Sequence, residues 1–136
     1  GWALYTEKLC EEMGFYSQIE SKFGRLSFEV WRACRLVVDT GLHAFGWSRQ
    51  KAIEFMQKNT GLSRSNIEVE VDRYIVMPGQ ALSYKIGERY LMDLRNMVRE
   101  NKGSEFEIKE FHKVLLENGA LPLPILGEIV RNYYKL

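Results

Sequence analysis

Read at about 100° per residue, the segment from residue 25 to 45 puts Glu29, Arg32, Arg35, Asp39 and His43 on one narrow stripe of a helix. The rest of the circumference carries Phe28, Val30, Trp31, Cys34, Val37, Val38, Leu42 and Phe45, the surround of a mostly buried helix. Such a stripe is either a thin solvent-facing strip or a face turned toward a polar cavity. Two features speak for the cavity. The stripe has no Lys and no second Glu, the usual solvent-face residues. The fixed fork of arginine also suits carboxylate recognition, including a peptide's C-terminus.

A second candidate runs from Arg73 to Gly87. Pro78-Gly79 ahead of a helix leaves free backbone N–H groups, a ready site for negative charge. Gln80, Tyr84 and Gly87 share one face of that helix. A glycine inside a helix costs about 1 kcal/mol against alanine, so Gly87 marks either close helix packing or room for a ligand beside the Tyr84 hydroxyl. His112 reads as a structural, partly buried residue. Cys10, Cys34, His43 and His112 are not paired at zinc-ligand spacing. The sequence contains no HExxH, no GxSxG and no glycine-rich phosphate loop, hence no complete catalytic constellation.

The elements that must position these residues are helical. The 136 residues are 46% apolar and 27% charged, with three prolines, which is the balance of a folded domain. Lys and Arg number 19 against 18 Asp and Glu, so the net charge of +1 gives no field to gather nucleic acid or an acidic membrane. No run of 18 apolar residues occurs, so no membrane-spanning helix is expected. Two separated cysteines and an N-terminus unlike a signal peptide lean toward the cytoplasm. Periodicity and caps predict helices over 2–13, 25–45, 49–59 behind Ser48, and 66–76 behind a Ser65–Glu68 capping box. In the last of these, Ile67, Val69 and Val71 also alternate as in a strand, but helix is preferred because no partner strand is evident. Pro78 is read as the first residue of a helix reaching Asn101, and helices at 107–118 and 124–135 complete the chain. The fold expected is one all-α domain of about six or seven helices. A periodic helix already under way at Gly1 suggests a piece of a longer chain.

Four stretches in order, GWALYTEKLCEEMGFY, WRACRLVVDTGLHAFGWSRQKAIEFM, EVDRYIVMPGQALSYKIG and FHKVLLENGALPLPIL, resemble successive blocks of domain-of-unknown-function family 885. The resemblance implies a large, mostly helical zinc metallopeptidase of the gluzincin kind, of which this chain would be the C-terminal part. It also implies an upstream HExxH helix. A third zinc ligand, a glutamate, would stand immediately before the block that begins here at Gly1. All metal ligands would then lie outside these 136 residues, zinc would belong to the longer protein, and this chain alone would be inactive.

On that analogy, joined to the helical stripe, Tyr84 and His43 are the candidate catalytic residues, as donors to a tetrahedral oxyanion. Arg32, Arg35, Arg73 and Gln80 are candidates to bind the peptide substrate. Asp39, oriented by the arginines, would act behind them. A second possibility of another class is a non-catalytic helical module that dimerises or binds a protein partner through the apolar surface a missing N-terminal half would otherwise cover.

Overall fold

In the computed structural model, which describes all of residues 1–136, the chain forms seven α-helices and no strand. They are α1 (Trp2–Glu12), α2 (Ile19–His43), α3 (Arg49–Asn59), α4 (Arg64–Val76), α5 (Ser83–Lys102), α6 (Ile108–Leu116) and α7 (Leu123–Tyr134). Local chemistry accounts for most of their limits. The Ser48 hydroxyl accepts the Lys51 N–H and opens α3. Ser63, not Ser65, opens α4 by accepting the Asn66 N–H, so the predicted capping box sits two residues too late. The long helix begins at Ile19 instead of residue 25. Its added first turns expose Ile19 and Phe23, and the apolar surround expected to be buried is only partly so. Cys34 and Val38 are enclosed, but Phe28, Val30, Val37 and Phe45 are exposed, because the face turned toward α3 and α4 carries Arg35 and Asp39 of the polar stripe.

The strand-like alternation in α4 resolves as a helix. Ile67, Val71 and Tyr74, at three- and four-residue steps, are buried. Val69, which a strand would bury beside Ile67 and Val71, is 69% exposed. Pro78 does not start α5. Gly79 takes a left-handed φ of +81°, a 3-10 turn over Gln80–Leu82 follows, and α5 begins only at Ser83.

Two apolar cores lie side by side. One joins α1, α5, α6 and α7 through Tyr5, Leu91, Leu94, Val98, Phe111 and Val130, among others. The other joins α2, α3, α4 and the 3-10 turn through Cys34, Val38, Ile53, Met56, Val71 and Ala81, among others. Between them runs a polar layer. The buried Arg25 on α2 holds Glu11 of α1 and Glu29 of its own helix, each at 2.7 Å. Lys85 on α5 holds Glu29 at 2.8 Å and Glu88 at 2.7 Å. The start of α1 is pressed onto α5: a Cβ added to Gly87 would lie 2.7 Å from the Gly1 Cα. Of the two readings of Gly87, close helix packing is the one the structure shows.

His112 is built into the first core. Its Nε2 lies 2.7 Å from the hydroxyl of the fully buried Tyr5, and Trp2 meets its ring edge-on. Burial, and then the nearby Arg95 guanidinium, lower its pKa from the ordinary 6.5. The folded state therefore holds fewer protons than the unfolded one at mildly acidic pH, so this contribution to stability is complete above 6.5 and lost as pH falls through the lower folded value. Urea midpoints should accordingly decline from pH 7 to pH 5 less steeply in His112→Gln than in the parent; parallel declines would remove His112 from this account.

Candidate functional site

The site grows out of α2 where it faces α4 and the 3-10 turn. Helical spacing sends Arg35 and Asp39 into that interface, and both are 3% exposed. The Arg35 guanidinium is sandwiched between two aromatic rings, 4.5 Å from the Tyr84 centroid and 5.1 Å from that of Tyr74. Its Nη2 donates to Gln80 Oε1 at 2.9 Å, and Arg73 Nη1 reaches the same oxygen at 3.5 Å. Its Nε, fully enclosed, has no hydrogen-bond partner. No carboxylate lies within ion-pair distance of Arg35. Ring faces and an amide oxygen do the work a counter-ion usually does.

Tyr74 ties the layer together. Trp31 Nε1–H donates to its hydroxyl at 3.0 Å, and that hydroxyl donates to Glu70 Oε2 at 2.9 Å. Arg73 pairs with the same Glu70 oxygen. Burial first, then the bond to Glu70, push the Tyr74 pKa up to about 12, against the lowering influence of Trp31. Burial alone would raise Glu70, but Arg73 and Tyr74 outweigh it and hold its carboxyl below the ordinary range.

The negative charge expected near Pro78-Gly79 comes from the chain itself. The Gly79 N–H lies 3.1 Å from each carboxylate oxygen of Asp39. The stripe is thus neither a solvent strip nor an open cavity here: Arg35 and Asp39 meet a packed polar interface. His43 stands eight residues beyond Arg35, about 12 Å along the helix. Its side chain is at the exposed end of α2, where Nε2–H donates to the Tyr74 carbonyl at 2.9 Å. A carbonyl only accepts, so the Nε2 position carries the proton and Nδ1 is the nitrogen left free. Arg32 is half-buried, stacked 4.9 Å from both Phe28 and Trp31. Arg35, Asp39, Arg73, Gln80 and Tyr84 therefore form one connected cluster, which His43 joins through Tyr74 and which Arg32 borders.

Sequence reasoning passed over Glu70, Trp31 and Tyr74 as polar partners. A signal was present: a tyrosine on the same helical face as Ile67 and Val71 is bound for the core, and its hydroxyl then needs a partner. Glu70 stands one turn before it.

Beside this cluster lies a groove of about 600 Å³. It is lined by residues from three segments: Gly1 and Trp2, several residues of 79–91 including Gly79, Ser83 and Gly87, and several of 115–126. None of the predicted site residues lines it, but Ser83 immediately precedes Tyr84. No three His, Cys, Asp or Glu side chains converge as a metal site, so these residues do not fit a zinc ion. No helix is long and apolar enough to cross a membrane.

Comparison with known proteins places the chain. A family model described as "Bacterial protein of unknown function (DUF885)" matches residues 1–130. Among solved structures, a chain from Colwellia psychrerythraea, described provisionally as a lipoprotein, superimposes with a TM-score of 0.97 at 43% identity. The match covers 99% of the present chain and 23% of the Colwellia chain. No curated protein matches.

The Arg35 sandwich depends on a planar cation. Lysine keeps the charge but loses the stacking plane and the fork. Arg35→Lys should therefore lower unfolding stability in urea by about 1–3 kcal/mol, with a near-ultraviolet circular dichroism change from Tyr74 and Tyr84. An unchanged midpoint would show that the charge alone suffices.

Proposed function

Because this chain belongs to the DUF885 family, we propose that it forms the C-terminal wall of the substrate cleft in a longer zinc-dependent peptidase and is inactive alone. The observation that carries this reading is where Gly1 lies. On the gluzincin resemblance, a metal-binding glutamate would stand immediately before it. Gly1 packs on Gly87, and both line the groove together with Gly79 of the turn that leads to Tyr84. The expected metal position would then border a groove whose lining includes Ser83, the residue before the candidate oxyanion donor Tyr84.

Zinc would be held by residues outside these 136, and no step here depends on its geometry. What the chain itself offers is a tyrosine whose ring is fixed on Arg35. A phenol held in place can donate to developing oxyanion charge without reorganising when the charge appears. Arg35 and Arg73 fix Gln80, and Asp39 fixes the Gly79 turn, so these groups position the tyrosine. His43 is the exposed member of the set, its Nδ1 open to a substrate's polar groups. The lipoprotein description of the Colwellia chain favours an exported parent over the cytoplasmic location that the cysteines suggest.

A second reading, a module that dimerises, has one observation in its favour. Ile19, Phe23, Leu26, Val30 and Val37 are exposed along α2 at steps of four, three, four and seven residues, the spacing of a helix-pairing seam.

In the full-length protein, Tyr84→Phe should lower peptide turnover by roughly ten- to a thousand-fold, with zinc content unchanged; wild-type turnover would take Tyr84 off the catalytic list. For the second reading, light scattering on the 136-residue chain should show a dimer that Phe23→Glu converts to monomer. A monomer at about 100 µM, well above the micromolar affinity of a modest interface, would eliminate it.

A further inference from the structure

We infer that Glu70, a residue outside the predicted set, is a positioning residue for Tyr84, a role whose catalytic meaning rests on the peptidase reading. Arg35 touches no carboxylate and is held instead by the Tyr74 ring and the Gln80 oxygen. Both of those groups lead back to Glu70. Its Oε2 accepts the Tyr74 hydroxyl at 2.9 Å, and the same oxygen pairs with Arg73, whose other arm reaches Gln80. One carboxylate oxygen thus anchors two routes that meet at Arg35, and the Tyr84 ring lies on that guanidinium. Tyr84 is only half-buried, so its ring depends on the stack more than a core tyrosine would.

Charge makes the arrangement depend on Glu70 in particular. Arg35 and Arg73 converge on one neutral oxygen, and two like charges so placed repel each other. Asp39, the other carboxylate of the cluster, is spent on the Gly79 N–H. That leaves Glu70 to offset the pair. Burial raises its carboxyl, but the bonds from Arg73 and Tyr74, and then the charges of Arg73 and Arg35, bring it below the ordinary range. Without the Glu70 charge, the partly exposed Arg73 would be drawn toward solvent. Gln80 would lose one of its two arginines, the Arg35 plane would lose support on two sides, and the Tyr84 ring stacked on it would lose its orientation.

Two measurements test this. In the 136-residue chain carrying 3-fluorotyrosine, the Tyr84 fluorine resonance, identified by its loss in Tyr84→Phe, should move toward the position of the free amino acid in Glu70→Gln. Glu70→Asp keeps the charge on a shorter arm and should move it less. Glu68→Gln removes an equal charge from the exposed side of the same helix and should leave it in place. In the full-length protein, Glu70→Gln should lower kcat about ten-fold or more, with KM changed less than about three-fold. Added to Tyr84→Phe it should cost nothing further, because the group it positions is already gone. A Tyr84 resonance indifferent to Glu70, or an equal loss of turnover with and without the Tyr84 hydroxyl, overturns the inference and leaves the peptidase reading standing. A responsive resonance in a protein that hydrolyses no peptide overturns the peptidase reading and, with it, the catalytic role of Glu70.

Discussion

Five side chains of alternating charge, Glu11, Arg25, Glu29, Lys85 and Glu88, hold the two halves of this domain in register. Each apolar core could form from its own helices, but neither fixes its angle to the other. The ladder does so, linking α1 and α5 from one core to α2 of the other. Arg25 is nearly enclosed, so losing a single partner would strand a charge away from water, which costs more than the pair itself contributes. The hydrogen bond from Lys85, then that from Arg25, overcomes burial and holds the Glu29 carboxyl below its ordinary range. Burial alone would lower Lys85, yet Glu29 and Glu88 outweigh it and keep the ammonium charged.

The same polar layer continues into the Arg35 cluster by a different means. Where the ladder pairs charge with charge, Arg35 is accommodated by two tyrosine faces and the oxygen of Gln80. The aromatic sandwich instead makes the ring part of the arginine's own solvation. Asp39 meanwhile fixes the Gly79 turn, and that turn shapes both the start of α5 and the side of the groove. Stability and the presentation of Tyr84 thus rest on the same contacts.

Much of this was legible from residue order. The limits of α3, α6 and α7 follow from a serine cap, helical periodicity and Pro-rich or glycine turns, all local effects. The prediction failed where a local rule met a distant partner. Pro78 has the right chemistry to begin a helix, but the Gly79 N–H is taken by an aspartate forty residues earlier, and α5 starts four residues after that glycine. Ser65 fits a capping box, yet Ser63 is the residue whose hydroxyl meets an amide. Gly87 carried two readings until Gly1 was found against it.

By itself the sequence determined the all-α class and the presence of a polar stripe on α2, because a period of 3.6 residues fixes which side chains share a face. It did not determine which face is buried, since Arg35 and Asp39 of the stripe are enclosed while Phe28, Val30 and Val37 are exposed. It could not determine what that face meets. Arg35 and Gln80 lie 45 residues apart, Trp31 and Tyr74 43, and Lys85 and Glu29 56. Only the packing of helices brings such pairs together, because each charged or aromatic group buried there must take its partner from whatever the neighbouring helix supplies. The groove belongs to the same class of feature. Its walls come from three separate parts of the chain, and none of them is a pocket until the helices are assembled.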